Sequence, residues 1–153
     1  MNQVFGRPRT PRERERAEAE WILREQVVEE AAGRFACPLW RLVHNSPACR
    51  VFGVGHGLYP DLVALDGSDV GTAWVLEAAT PSTVGDETSW ERWHQIASTG
   101  LTLILAVPPG SGRVVERLAA MIGMKVGLVY EYALTEEGVA FNLPRPEAGR
   151  GAH

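Results

Sequence analysis

Residues 11–35 carry apolar side chains at helical spacing only in their second half. The stripe consists of Trp21, Val27, Val28, Ala31 and Ala32, with Leu23 or Ile22 between them. The first half alternates arginine with glutamate, which is typical of a solvated helix face stabilised by intrahelical ion pairs. The segment is therefore predicted to form one long helix, which Thr10 caps at its N-terminus and Gly33 ends.

Short extended runs separated by turn residues follow this helix. The runs LWRLVH (39–44) and CRVFGVG (49–55) flank a turn at Asn45 to Pro47 and predict a first hairpin. The runs DLVAL (61–65) and TAWVLEAA (72–79) flank the turn sequence DGSDVG and predict a second hairpin.

Helical and extended segments alternate in the rest of the chain. A helix over residues 85–99 would place Trp90, Trp93, Ile96 and Ala97 on one face. The run LTLILAVP (101–108) is continuously apolar, which is typical of a strand covered on both faces. The other predicted elements are a helix at 110–123 and strands at 125–134 and 138–144. This order predicts an α/β or α+β fold, with one mixed central sheet flanked by helices.

Length and net charge place only weak limits on the number of domains and on the class of partner. The 153 residues are enough for one domain, predicted to span residues 11–143 between a disordered arm (1–10) and a disordered tail (144–153). The net charge of -4 gives no general attraction for nucleic acid, although a local basic patch is compatible with it.

The N-terminus does not look like a secretory signal, and no apolar run has membrane-spanning length, so we expect a cytoplasmic protein with no membrane partner. The two cysteines, Cys37 and Cys49, are predicted to be free and buried.

Two acids interrupt the second hairpin. Symmetric pairing around its turn brings Asp61 opposite Leu76 or Glu77, and directly opposed carboxylates repel each other. A divalent cation such as Mg²⁺ would remove this repulsion by taking both carboxylates as ligands. Alternatively, Asp61 only caps a turn and Glu77 is paired with an arginine, either Arg50 or Arg92.

Together, YPDLVAL and WVLEAAT resemble the PD-(D/E)XK nuclease superfamily, in which Pro-Asp on one strand precedes Glu-x-Lys on the next. The resemblance implies a restriction endonuclease-like αβββαβ core with Asp61 and Glu77 as catalytic metal ligands for Mg²⁺ (or Mn²⁺). It also implies that Gln95 on the following helix and Glu30 (or Glu29) on the first helix assist. Ala79 stands where the family has its lysine, and Lys125, the single lysine of the chain, is the only replacement.

Three functions follow from this resemblance. The first is metal-dependent hydrolysis of phosphodiester bonds in DNA or RNA, and the second is nucleic-acid binding by an inactive relative. The third is an assembly module that forms a homodimer or binds a protein partner. The nuclease interpretation would have to be abandoned if the side chains of Asp61 and Glu77 lay on opposite sides of the sheet, or if each were paired with its own arginine.

Other residues carry weaker hypotheses. His56 is a candidate metal ligand, general base or phosphate contact, and the glycines of VPPGSG could hold an anion at a helix N-terminus, although a capped turn is the better interpretation. Trp74, Trp90 and Trp93 could stack on bases, but tryptophans at these spacings are more often part of a core. A basic arm for nucleic acid would consist of Arg7, Arg9, Arg12, Arg14 and Arg16, weakened by the glutamates between them.

Overall fold

The computed structural model describes residues 8–47, 49–55, 57–66 and 71–141, which form three helices and six strands. The helices are α1 (Pro11–Phe35), α2 (Glu87–Ala97) and α3 (Gly112–Met121). The strands are β1 (Trp40–His44), β2 (Leu62–Asp66), β3 (Thr72–Ala78), β4 (Leu103–Val107), β5 (Leu128–Thr135) and β6 (Gly138–Phe141).

All six strands belong to one mixed sheet with the order β1-β2-β3-β4-β5-β6. The first three strands pair antiparallel, β3, β4 and β5 run parallel, and β6 returns antiparallel to β5. The predicted fold class is thereby confirmed as a mixed α and β fold with a central sheet flanked by helices.

The sheet separates two apolar cores. On one face α1 buries Val27, Val28 and Ala31 against β-strand side chains that include Leu62 and Leu76. On the other face α2 and α3 cover a second set that includes Trp93. Strand β4 is buried along its whole length, as its continuous apolar run predicts, because it lies between both helical layers.

Helix α1 begins where the sequence predicts. The Thr10 side chain accepts a hydrogen bond from the Glu13 backbone N–H at 3.2 Å, and Pro11 occupies the first turn. The helix continues two residues past Gly33, to Phe35, so Gly33 does not end it. The Phe35 ring packs on Trp74 and Tyr130 with centroids 5.3 and 5.5 Å away, and this packing holds the last turn.

The first predicted hairpin is wrong. Strand β1 pairs with β2, and the CRVFGVG run forms a loop instead of a partner strand. The buried Asn45 side chain explains why. Its amide donates to the carbonyls of Phe52 and Pro60, both at 2.7 Å, and its oxygen accepts from the N–H groups of Val51 and Phe52 at 2.8 and 2.9 Å. The loop thus finds its backbone partners on one side chain, and β1 is left to pair with β2.

The second hairpin and the later elements are confirmed. Leu62 faces Leu76, which is the register expected from the sequence, with one irregularity between Ala64 and Leu65. The turn residues 67–70 lie outside the described residues, as do most of the predicted arm and the predicted tail. Strand β5 begins three residues later than predicted and β6 is described as far as Phe141.

The glycine-rich turn before α3 is a capped turn, as favoured from the sequence. The Glu131 carboxylate accepts from the N–H groups of Gly110 at 2.8 Å and Gly112 at 3.0 Å. A side chain of β5 thus binds the free N–H groups at the start of α3. A Cβ at residue 112 would lie 2.6 Å from a Glu131 oxygen, which explains why glycine suits this position.

Two further expectations concern cysteines and membranes. Cys37 and Cys49 are both free, as predicted, but neither is buried: Cys37 is half-buried, and Cys49, in the loop after β1, is exposed. Among the described residues, no helix combines the length and the apolar character needed to cross a bilayer.

Candidate functional site

Asp61 and Glu77 meet at one end of the sheet. Asp61 immediately precedes β2, and Glu77 is the sixth residue of β3. A Glu77 side-chain oxygen, Oε2, accepts a hydrogen bond from the Asp61 backbone N–H at 2.8 Å, and the Asp61 Oδ2 accepts from the Ala78 N–H at 2.8 Å. The two residues are therefore neighbours, as the hairpin register predicts, and each carboxylate accepts from a backbone N–H group of the adjacent strand segment. Both are buried, with relative exposures of 5% and 1%.

An arginine from α2 neutralises Glu77. Arg92 Nε donates to Glu77 Oε1 at 2.5 Å, and its Nη2 donates to Oε2 at 3.3 Å. The same Nη2 also donates to the backbone carbonyl of Tyr59 at 2.6 Å, which ties α2 to the loop before β2. Glu77 lies on the strand face that α2 covers, so this pairing follows from side-chain alternation along β3. Arg92 was one of the two partners predicted for Glu77.

A different arginine, from α1, neutralises Asp61. Arg24 Nη2 donates to Asp61 Oδ1, and its Nε donates to Oδ2 at 3.3 Å, so the guanidinium engages both oxygens. Helix α1 covers the opposite face of the sheet from α2. Asp61 immediately precedes β2, and its carboxylate binds the guanidinium from α1 and not the one from α2.

Burial disfavours the ionised form of the Glu77 carboxylate. Loss of water contact, reinforced by the nearby Asp61 carboxylate, raises the pKa of Glu77 to about 7, against the opposing effect of Arg92. Burial alone would lower the pKa of an arginine, but the pKa values of Arg24 and Arg92 are both raised. The acids hold the pKa of Arg24 and of Arg92 above the usual range even though burial alone would lower both.

A pocket of about 220 Å³ opens above this network. Its lining includes three arginines, one carboxylate and several polar groups of the loop between β1 and β2, namely Arg24, Arg50, Arg92, Asp61, Asn45, Ser46, Pro47, Gly57 and Tyr59. The exposed Arg50 guanidinium lies over the Tyr59 ring, with 5.4 Å from its central carbon to the ring centroid. Arg24 and Arg92 keep 34% of their side chains exposed, so both guanidinium groups can be reached from solvent although each is paired with an acid. Arg50 adds a third positive charge at the pocket.

No lysine supplements this site in the part of the chain that the structure describes. Ala79 is fully buried, and its backbone carbonyl accepts a hydrogen bond from the Tyr132 hydroxyl at 2.8 Å. Lys125 lines a different hollow with Glu116 and Val129, on the N-terminal side of β5. It therefore does not take the place of the missing lysine in this structure.

The two assisting residues implied by the resemblance lie elsewhere. Gln95 is exposed on α2 and lines a hollow with Trp90 and His94. Glu30 lies on α1 at 3.7 Å from Arg34 and borders a hollow near Glu137. The structure thus brings together Asp61 and Glu77 but neither Gln95 nor Glu30 with them. His56 lies outside the described residues.

Trp74 and Trp93 belong to the core, and Trp90 packs at its edge. Trp74 and Trp93 have relative exposures of 6% and 2%, and Trp90 packs on Trp93 with ring centroids 5.1 Å apart. Base stacking by Trp74 or Trp93 would require the core to open, so their structural interpretation is confirmed.

The donors of this site do not fit a divalent ion in the arrangement observed. Each carboxylate oxygen of Asp61 and Glu77 already accepts a hydrogen bond from an arginine, and backbone N–H groups take two of them. Across the described residues, no three His, Cys, Asp or Glu side chains cluster in a way that could hold a metal ion. A Mg²⁺ or Mn²⁺ site remains a prediction that requires both guanidinium groups to move. The arrangement matches the alternative in which each acid has its own arginine.

Two residues of the site escaped the sequence analysis. Arg24 precedes Val27 and Val28 by three and four residues, so helical periodicity already placed it on the face of α1 that meets the sheet. The sequence predicts Asn45 only as a turn residue, because its role as the hydrogen-bond centre of a loop leaves no periodic pattern in the sequence.

Comparison of the chain with known proteins identifies no relative. No protein-family model matches the chain, and searches of curated proteins and of solved structures find no match.

Proposed function

We propose that this protein is a PD-(D/E)XK-like module that binds the phosphate groups of DNA or RNA in the arginine pocket without hydrolysing them. The pocket is the one lined by Arg24, Arg50 and Arg92 above the acid pair. The observation that carries the proposal is the pairing of each acid with its own arginine at the floor of that pocket.

The order of elements supports a restriction endonuclease-like core. From α1 to β4 the chain runs as a helix, three strands, a helix and a strand, which is the αβββαβ order that the resemblance implies. Within that order the Pro-Asp pair stands at the beginning of β2 and the motif glutamate on β3. Fold and function are separable, so the core by itself does not make the protein an enzyme.

The chemistry of the pocket supports binding over catalysis. Hydrolysis of a phosphodiester needs a group that activates water, and positioned acid–base assistance contributes roughly 10²–10⁴ in rate. Ala79 offers a methyl group at the lysine position, and the carboxylates of Asp61 and Glu77 are engaged by arginines. In this arrangement the acids serve to position the guanidinium groups.

The charge balance supports an anionic ligand. Three arginines face two carboxylates, so the site is cationic even when both acids are ionised. The planar guanidinium of arginine matches the geometry of phosphate oxygens and can donate two parallel hydrogen bonds. Protonation of Glu77 below about pH 7 would leave the pocket more positive still.

Arg50 offers the cleanest test of this proposal. It lines the pocket and touches the Tyr59 ring but is not paired with Asp61 or Glu77, so its removal should leave the acid network intact. We expect Arg50→Ala to weaken binding of fluorescein-labelled single-stranded or double-stranded DNA or RNA about fivefold, which corresponds to about 1 kcal/mol. The slope of log K against log salt should fall by about 0.7–0.9, as for the loss of one phosphate contact.

Fluorescence anisotropy in the presence of EDTA measures both quantities. Arg34→Ala, an arginine near the far end of α1, is the matched control and should bind as the wild type does. A loss of affinity in Arg12→Ala with none in Arg50→Ala would assign binding to the helical arm and refute the pocket proposal. Absence of binding by the wild type to all four nucleic acids would refute it as well.

A metal-dependent nuclease is the second candidate function. The proximity of Asp61 and Glu77 at one end of the sheet favours it, but the pairing of each acid with its own arginine is the result that counts against it. The two candidates differ in their need for a divalent ion and in the fate of the nucleic acid.

A further inference from the structure

Helix α3 exposes a second apolar face beside the one that it buries. Val115 and Ala119 face the core, whereas Val114, Leu118 and Met121 recur at i, i+4 and i+7 on the solvent side. Met121 is 74% exposed and Val114 is 50% exposed. A surface helix whose apolar residues extend beyond the buried stripe is typical of an interaction surface.

This face continues into a groove between α3 and α2. Leu118 and Ile122 line one wall, and Val84 and Trp90 line the other. Because the groove joins the exposed stripe of α3, the two form one apolar surface, here called the α2–α3 surface.

Charges of opposite sign border this surface on its two sides. Glu87 and Glu91, one turn apart on α2, line the hollows beside Trp90. With 100° between successive helical residues, Arg113 and Arg117 of α3 follow the apolar stripe on the side away from α2. All four charged residues are exposed.

We propose that the α2–α3 surface binds a second copy of this chain. A two-fold axis parallel to α3 places the arginine border of each copy opposite the glutamate border of the other, so the surface is complementary to itself. An axis perpendicular to α3 would oppose like charges, and we therefore infer that the two α3 helices run parallel. The proposal does not depend on nucleic-acid binding, because the arginine pocket lies among different residues.

The composition of the surface sets the expected affinity. A stable interface buries roughly 800 Å² per partner, whereas an apolar strip one helix wide is typical of smaller, reversible interfaces. We therefore expect a reversible dimer with a dissociation constant in the micromolar range, which salt weakens because the rim is charged.

Sedimentation equilibrium on the full chain, from low micromolar to several hundred micromolar, tests the proposal. We expect Met121→Glu to weaken the dimer at least tenfold, whereas Met121→Leu should retain it. Arg117→Glu and Glu91→Arg should each weaken the dimer, and the chain that carries both substitutions should regain most of the wild-type affinity. Met121 and both charged residues are exposed, so these variants should retain the wild-type circular dichroism spectrum.

Three results would overturn the proposal. A wild-type protein that stays monomeric over the whole range has no such interface. A dimer that Met121→Glu leaves unchanged forms through another surface. A double charge variant that is weaker than both single variants contradicts the parallel arrangement. If Met121→Glu fails to fold, the charge pair decides the question alone.

Discussion

Replacement of Arg92 by methionine is expected to lower the free energy of unfolding by about 3 kcal/mol near pH 9 and by only about 1 kcal/mol near pH 5.5. Methionine retains much of the apolar stem of arginine but removes the cation that faces Glu77. At high pH the variant therefore buries the ionised Glu77 carboxylate without its partner. At low pH this carboxyl group is protonated and carries no charge.

The direction of this pH dependence follows from linkage. The pKa of Glu77 is raised to about 7 in the folded protein from 4.5, so the folded state binds the proton more tightly than the unfolded state does. Stability contributed by this group is therefore complete below about pH 4.5 and declines as pH rises to about 7. Loss of Arg92 raises the pKa of Glu77 further, because Arg92 is the main group that lowers it, and the decline then continues above pH 7.

Urea denaturation at several pH values measures these differences. Combining Arg92→Met with Glu77→Gln should restore most of the stability near pH 9, because the buried charge is then absent, and the two substitutions form a double-mutant cycle. Arg16→Met, on the exposed part of α1, is the control and should change stability by less than about 0.5 kcal/mol at either pH. A loss for Arg92→Met that is equal at both pH values would show that Glu77 does not titrate as described.

Replacement of Asn45 by alanine is expected to lower the free energy of unfolding by about 3 kcal/mol. Asn45 is only 3% exposed and makes four hydrogen bonds to backbone groups of the loop that follows β1. Alanine would leave several of these groups without partners. Because the same loop carries Arg50 and Tyr59, the variant should also lose affinity for nucleic acid.

Asn45→Asp is the matched control for this prediction. Aspartate can still accept from the N–H groups of Val51 and Phe52, but its second carboxylate oxygen would face the carbonyl oxygens of Phe52 and Pro60 in place of the amide that donates to them. We therefore expect a loss at least as large as for alanine at neutral pH, because the variant buries a charge against two acceptors. Urea denaturation and anisotropy together measure both effects. A loss below about 1 kcal/mol for Asn45→Ala would mean that the loop does not depend on this side chain.

The elements with regular apolar spacing were predictable from the sequence. Helix α1 follows from its stripe and its Thr10 cap, and β4 from a continuous apolar run. The proximity of Asp61 and Glu77 followed from symmetric pairing of the two strands, and the observed register keeps Leu62 opposite Leu76 despite the irregularity between Ala64 and Leu65. These features depend on contacts between residues close in sequence.

The remaining features depend on contacts that a local pattern does not encode. The run CRVFGVG has the composition of a strand, yet the Asn45 side chain satisfies backbone groups that a strand would have paired. Arg24 reaches Asp61 across 37 positions of sequence, and only the packing of α1 on the sheet brings them together. The family pattern likewise pointed to Gln95, whereas Arg92, three residues earlier on the same helix, contacts the acid.

The central claim is that the pocket holds phosphate by arginine and not through a metal ion. Incubation of labelled DNA and RNA with the protein, in EDTA and in Mn²⁺, tests this claim most directly when anisotropy and denaturing gels are read from the same samples. We expect equal binding in EDTA and in Mn²⁺, reduced by Arg50→Ala, with every strand intact. Binding that requires Mn²⁺, together with cleavage that Asp61→Ala abolishes, would contradict it.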